Sequence, residues 1–105
     1  MGTIVIAAYK AKPGKVKVLE QLLVLHTNVL RSLGYITEHS PYIMKAKGQN
    51  YLEVFEWMSE DAIKKAHEDP EVKALWDKLE EVAEVIAPAT IEELSTPFKG
   101  FNRVE

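Results

Sequence analysis

The sequence predicts an α+β fold, a ferredoxin-like split βαβ arrangement in which an antiparallel four-stranded sheet carries its helices on one face. Apolar residues alternate over 3–10 and 51–57, which is typical of strands. They recur at three- and four-residue spacing over 15–33 and 70–86, which is typical of amphipathic helices. With a second strand and a short helix in between, the order is strand, helix, two strands, helix pair and strand. This order is that of the split βαβ plan.

The first strand and the long helix are the best-defined elements. Both alternation sets of the first strand are apolar, which indicates a central strand that is covered on both faces. Pro13 and Gly14 end the strand, and Gly34 is expected to end the helix that follows.

Residues 35–47 are rich in aromatic and β-branched side chains and predict the second strand. Pro41 cannot donate to a strand ladder, so this strand is expected at an edge of the sheet. A turn at 48–50 joins it in a hairpin to the third strand, 51–57. One face of the third strand holds Leu52 and Val54; the other holds Tyr51, Glu53, Phe55 and Trp57.

Two helices follow the hairpin. Ser59 is expected to cap a short helix that runs through His67. Asp69 and Pro70 are expected to start the next helix, which Pro88 ends. Residues 89–96 fit either a strand or a capping-box helix, and we favour the fourth strand.

The chain of 105 residues is expected to form one domain, residues 1–105, with a loosely attached tail at 97–105. A domain of this size buries only about two-thirds of the surface of its unfolded chain, which favours a dimer. The sheet face away from the helices is predicted to be apolar, so that a second subunit is needed to cover it.

The composition excludes several classes of function. The net charge is -3 with mixed signs, so the chain lacks the positive field that nucleic acid requires. The absence of cysteine excludes disulfides, thiolate zinc sites and iron–sulfur clusters. No apolar stretch reaches the roughly 20 residues of a membrane span, and the first residues are unlike a signal peptide. We expect a soluble, cytoplasmic protein without nucleic-acid or membrane partners.

A family resemblance rests on four stretches. These are Lys-Pro-Gly-Lys at 12–15, Glu-Val-Phe-Glu-Trp-Met-Ser-Glu-Asp-Ala at 53–62, His-Glu-Asp-Pro-Glu-Val at 67–72, and Trp76 in the helix that follows. Over residues 3–95 the chain resembles the antibiotic biosynthesis monooxygenase (ABM) family of the dimeric α+β barrel superfamily. The resemblance implies a homodimer whose two sheets close into a barrel, with a pocket in each subunit between the sheet and its helices.

The resemblance leaves the activity open. Some members are cofactor-independent monooxygenases acting on polycyclic phenols and quinols, others degrade haem, and many have no assigned activity. The asparagine, tryptophan and histidine of the haem-degrading members would fall near Ala7 or Ala8, at Ala66 and at Trp76, so all three are absent here. The resemblance therefore implies either a monooxygenase that needs no cofactor or a protein without catalytic activity.

Two residues are candidates for catalysis. His26 lies in the apolar stripe of the long helix and is expected to point toward the sheet, where an imidazole could take a proton from a phenol. The alternative is a core histidine bonded to a carbonyl or to water. Glu53 shares a strand face with Phe55 and Trp57, where a carboxylate needs a partner. It could equally pair with a lysine at the rim of a dimer.

Four residues are candidates for ligand binding. Trp57 and Phe55 offer flat faces for stacking on a small aromatic ligand, although core packing is the favoured explanation of Trp57. Trp76 is a further candidate for ligand binding, although packing in the core is the simpler explanation for it. His39, near Pro41, is expected to approach the same pocket or the partner subunit. No His-x-x-x-His or Glu-x-x-His pair is present, so we expect no metal site.

These candidates support two rival functions. One is oxidation of a small aromatic or quinol substrate without a cofactor, with His26 moving the proton. The other is a non-catalytic ligand-binding or structural dimer. An open cavity of a few hundred Å3 between helices and sheet would favour the first, and a space filled by side chains the second. A third hypothesis, an isomerase of the muconolactone type on a similar barrel, rests on analogy alone.

Overall fold

A computed structural model describes residues 2–104 of the chain. The elements in chain order are β1 (Thr3–Ala11), α1 (Val16–Ser32), β2 (Tyr42–Lys45), β3 (Asn50–Trp57), α2 (Glu60–Glu68), α3 (Pro70–Val82), β4 (Ala83–Ile86) and β5 (Asn102–Arg103). Short 3-10 turns lie at Lys47–Gln49, Pro88–Thr90 and Glu92–Ser95.

The strands form one antiparallel sheet in the order β4-β1-β3-β2-β5. The four longer strands therefore have the order that a ferredoxin-like α+β fold requires. β1 is central, because it pairs with β3 on one side and with β4 on the other. Ala7 lies opposite Glu53 in the β1–β3 ladder, which fixes the faces of both strands.

The starts of α2 and α3 and the end of α1 agree with the sequence prediction. The Ser59 hydroxyl accepts a hydrogen bond from the backbone N–H of Ala62 and caps α2. Asp69 accepts from the N–H groups of Glu71 and Val72, with Pro70 in the first turn of α3. Beyond α1, Gly34 has φ 80, a left-handed conformation that a side chain would disfavour.

All three helices pack on one face of the sheet, as predicted. One cluster joins Leu19 and Leu23 of α1 to Tyr9, Tyr51 and Leu79. A second cluster joins the far end of α1 to α2, α3 and the end of β3; its buried members are Leu30, Ile36, Phe55, Trp57, Ala66 and Val72. The face of β3 that carries Glu53 is therefore the face beneath the helices.

The opposite face of the sheet is covered only in part. The segment after β4 lies across one half of it, where Ile91 is buried against Ala8 and Leu52. The other half is open: Ile4 is 67% exposed and Ile6 is 55% exposed. This open half is defined by Ile4, Ile6, Tyr42 and Val54, and we call it the open face.

The fourth strand lies where the sequence predicted the end of a helix. α3 ends at Val82, and Ala83–Ile86 pairs with β1, whereas the sequence pattern predicts the helix through 86 and the strand at 89–96. Residues 89–96 instead contribute to two 3-10 turns. Pairing with β1 outweighs the helical spacing of Val82, Ala83 and Ile86, because a ladder partner is a long-range interaction that local periodicity does not contain.

The sheet has five strands instead of the predicted four. The second strand is shorter than the predicted 35–47, because regular pairing begins only after Pro41. It is not the outermost strand, since Asn102 and Arg103 pair with Lys45 and Met44. The prediction of a loose tail was therefore wrong for this part of the chain: 102–103 is a strand, and the N–H of Val104 donates to the carbonyl of Ile43.

None of the helices within residues 2–104 combines the length and the hydropathy needed to cross a lipid bilayer.

Candidate functional site

Four side chains from four elements form a buried polar network beneath the helices. His26 comes from α1, Glu53 from β3, Tyr9 from β1 and Trp76 from α3. The Nδ1 atom of His26 lies 2.8 Å from Oε2 of Glu53. The other oxygen, Oε1, accepts a hydrogen bond of 3.0 Å from the Tyr9 hydroxyl. We call these four residues the His26 network.

The hydrogen bonds assign the tautomer of His26. The indole Nε1–H of Trp76 can only donate, and it lies 2.9 Å from Nε2 of His26. Nε2 must therefore be the unprotonated acceptor, so Nδ1 carries the proton and donates it to Glu53. This is the neutral imidazole with both nitrogen atoms engaged, which leaves no ring nitrogen free for a substrate.

Glu53 is fully buried, with 0% exposure. A buried carboxylate is costly unless donors surround it, and here Tyr9 and His26 supply one donor to each oxygen. Burial raises the pKa of the Tyr9 hydroxyl well above its ordinary range, and the neighbouring Glu53 carboxylate raises it further. Tyr9 is therefore a protonated donor at every physiological pH.

Aromatic rings enclose the imidazole. The ring of Phe55 meets that of His26 edge to face at a centroid distance of 5.9 Å, and Trp57 contacts Phe55 at 5.3 Å. Trp76 is only half-buried, and the ring of His67 lies against it at 4.9 Å. His26 is 3% exposed, so it sits in a closed core whose outermost member is Trp76.

The structure brings together five of the six residues that the sequence singled out, namely His26, Glu53, Phe55, Trp57 and Trp76. The sixth, His39, lies elsewhere, with a side chain that is 84% exposed and an Nε2 atom 3.8 Å from Oε1 of Glu56. His39 does not join the His26 network, because it stands beside the open face of the sheet.

A hollow of about 280 Å3 lies at His39. Its lining is Ile4, His39, Ser40, Tyr42, Val54, Phe55 and Glu56. Apolar side chains form most of the wall, and the carboxylate of Glu56 stands at its polar end, where it also accepts a hydrogen bond from the Thr37 hydroxyl. This open-face hollow has the apolar wall and the few polar groups that small aromatic ligands require.

Tyr9 belongs to the site although the sequence pattern did not single it out. The alternation of β1 nevertheless contains the necessary pattern. Tyr9 is two residues from Ala7, which pairs with Glu53, so an antiparallel β1–β3 pair places the tyrosine diagonally next to the carboxylate. Prediction of this contact requires the pairing of β1 with β3, which the sequence pattern does not give.

Among residues 2–104, no three His, Asp or Glu side chains come close enough together to hold a metal ion. The sequence matches no protein-family model, and no curated protein matches it significantly.

Proposed function

We propose that this chain is an ABM-like protein that forms a homodimer through the open face, so that two sheets close into a barrel. The support is the apolar half of the sheet on which Ile4 and Ile6 remain exposed. The chain's own terminal segment covers the other half, through Ile91. A second copy related by a two-fold axis would bury the remainder, since the same surface then meets itself.

The function that we propose for this dimer is non-catalytic binding of a small aromatic molecule. The observation that carries it is the open-face hollow, with its apolar wall and with His39 and Glu56 at one end. In the proposed dimer the partner's sheet would cover this hollow, so the ligand would lie inside the barrel between the two sheets. Tyr42 offers ring surface, and Glu56 can accept a hydrogen bond from a phenolic hydroxyl. His26 and Glu53 have a different role here: they bond to each other and tie α1 to β3.

Sedimentation velocity at micromolar concentration tests the dimer. We expect the wild type to sediment as a dimer and Ile6→Lys as a monomer, because a lysine in the centre of the open face would place a charged group in an apolar contact. Val85→Lys is the matched control, since Val85 is equally exposed but shares its ladder position with Tyr9, on the face of the helices. A monomeric wild type would contradict the dimer.

Titration with hydroquinone, followed by amide chemical shifts, tests ligand binding. We expect saturable shifts at Ile4, Tyr42 and Val54, and weaker binding by Tyr42→Ala. Val85→Ala removes an exposed apolar side chain outside the hollow and should bind as the wild type does. Shifts that are absent, or that spread evenly over the surface, would rule out the hollow as the binding site.

Cofactor-independent oxygenation is the second candidate, and one observation favours it. A carboxylate–imidazole pair lies among aromatic rings, and the half-buried Trp76 occupies Nε2. Rotation of the indole would free Nε2 to take a proton from an anthrone-type phenol. The resulting anion would react with dioxygen, so that a CH2 group becomes a carbonyl and one molecule of water is released.

Oxygen uptake with anthrone separates the two candidates. A monooxygenase would consume oxygen faster than buffer alone, and His26→Gln would abolish the excess, whereas Glu84→Gln, an exposed change on β4, would keep it. Uptake equal to that of buffer supports binding without catalysis. Equal excess rates for wild type and His26→Gln would remove His26 from the mechanism.

A further inference from the structure

Both arginines of this chain line the same cavity. The sequence contains only Arg31 and Arg103, one in the helix α1 and the other in the last strand. The cavity between them measures about 220 Å3 and lies where α1 passes the segment before β2. Its full lining is Val24, Thr27, Asn28, Arg31, Ser40, Pro41, Ile43 and Arg103.

Arg31, which lines this cavity, has one donor atom without a partner among the described residues. Its Nε atom is buried and has no hydrogen-bond partner within residues 2–104. A buried donor without a partner is destabilising, so such a group usually serves a ligand or a bound water. Within the same part of the chain, the Arg31 guanidinium also has no carboxylate within 4.0 Å.

Arg103 is held in place from two sides. Its guanidinium lies 4.7 Å from the centre of the Tyr42 ring, in a cation–π contact. One of its nitrogen atoms, Nη2, donates to the carbonyl oxygen of Pro41 at 3.4 Å. These contacts occupy one face of the guanidinium group and one of its N–H donors. The other N–H donors remain available to a ligand.

The lining gives the cavity a positive charge in an acidic protein. The chain has a net charge of -3, yet the residues that line the cavity include both arginines and no aspartate or glutamate. Asn28 and Ser40 add neutral polar groups at the wall. The Thr27 hydroxyl is already engaged, because it donates to the carbonyl of Val24 in its own helix. An anion is the ligand that this set of groups is suited to bind.

The shape of the cavity narrows the ligand class. Val24, Pro41 and Ile43 supply apolar wall, which a bare phosphate would leave unused. The volume is below the range of about 300–1,000 Å3 that is typical of drug-sized ligands. We propose that this cavity binds a small organic monocarboxylate, with the carboxylate between Arg31 and Arg103 and a short apolar body against the three apolar side chains.

This site is a different cavity from the open-face hollow: the two linings share Ser40, and the Arg103–Tyr42 contact lies between them. It therefore stands whether or not the proposed function does.

Titration of the full chain with sodium benzoate, followed by calorimetry and amide shifts, tests the proposal. We expect saturable binding with shifts centred on Asn28 and Ser40, and a loss of about tenfold or more in affinity for Arg31→Gln and for Arg103→Gln. The control is Lys17→Gln, which removes one positive charge from an exposed position of the same helix and should bind benzoate normally. Benzamide, a neutral molecule of nearly the same shape, should not bind.

Arg31→Lys provides a second test of the same residue in case Arg31→Gln does not fold. It keeps the charge and loses the fork, so it should also weaken benzoate binding while its circular dichroism stays native. Three results would overturn the proposal: equal benzoate affinity in the wild type and Arg31→Gln, binding of benzamide as tight as that of benzoate, or binding of inorganic phosphate without binding of benzoate.

Discussion

The Nδ1 atom of His26 and the Oε2 atom of Glu53 lie 2.8 Å apart, and neither side chain is more than 4% exposed. This contact joins the middle of α1 to the middle of β3 across the layer between helices and sheet. Since both groups depend on each other for a hydrogen bond, the pair specifies how the helix sits on the sheet.

Replacing Glu53 by glutamine should destabilise the fold. Glutamine keeps the shape but offers one acceptor oxygen to the two donors Tyr9 and His26, and its NH2 group would then face a donor. We expect a loss of about 1–3 kcal/mol in the free energy of unfolding, measured with urea. Glu84→Gln, on the exposed surface of β4, is the control and should change stability little. A Glu53→Gln variant as stable as the wild type would show that the network is not needed for packing.

Nitrogen chemical shifts should show His26 as the neutral tautomer with its proton on Nδ1. The reason is that the donor-only indole of Trp76 occupies Nε2. Trp76→Phe removes that donor and should alter the Nε2 shift while the ring stays buried. His39, whose side chain is exposed, provides an internal reference. A wild-type spectrum with the proton of His26 on Nε2 would contradict the assigned hydrogen bonds.

The free energy of unfolding should fall at alkaline pH, and part of this fall should depend on Tyr9. Burial, followed by the Glu53 carboxylate, raises the pKa of Tyr9 in the folded state. The contribution of the Tyr9 hydroxyl to stability is therefore complete below the ordinary tyrosine pKa of about 10, and it is lost as the pH rises above that value. The difference in stability between the wild type and Tyr9→Phe should be constant at pH 7–9 and should narrow above about pH 10. A constant difference through pH 11 would speak against a buried donor.

Tyr51 should behave in the same way for the same reasons. Burial raises its pKa, and the hydrogen bond that its hydroxyl donates to Glu20 adds to this effect. Tyr51→Phe, compared with the wild type by denaturation across the same pH range, should show the same narrowing above about pH 10.

Acid should weaken the junction between α2 and α3 through Asp69. The Tyr35 hydroxyl donates to its carboxylate at 2.7 Å and lowers its pKa, and the N–H groups of Glu71 and Val72 lower it further. The contribution of the ionised Asp69 to stability is complete above the ordinary aspartate pKa of about 4, and it is lost as the pH falls through the lowered pKa. The destabilisation by Tyr35→Phe should therefore shrink below about pH 4 in thermal unfolding. In an Asp69→Asn background, Tyr35→Phe should have no pH-dependent effect in this range.

Much of the fold follows from residues that are neighbours in the sequence. The spacing of Leu19, Leu23 and Leu30 predicted α1 and its buried stripe, and Ser59 and Asp69 predicted the starts of α2 and α3. The alternation of β3 correctly placed Glu53, Phe55 and Trp57 on one face. The open face was also expected, since both alternation sets of β1 are apolar.

The fourth strand depends on the assembled sheet and not on local spacing. Val82, Ala83 and Ile86 fit a helical stripe, yet 83–86 is extended, because β1 offers a partner at Ala8 and Ala11. A strand edge that must be paired is a property of the assembled sheet, and no local spacing contains it.

The sequence alone determined an acidic, cysteine-free chain, the helix caps, the hairpin and the face of β3 on which a carboxylate would be buried. Only the tertiary structure decided that this carboxylate meets His26 and Tyr9, and that the chain's two arginines share one cavity. The physical reason is distance along the chain. Caps and stripes depend on residues within one or two turns, whereas these contacts join elements whose mutual position depends on strand register and core packing.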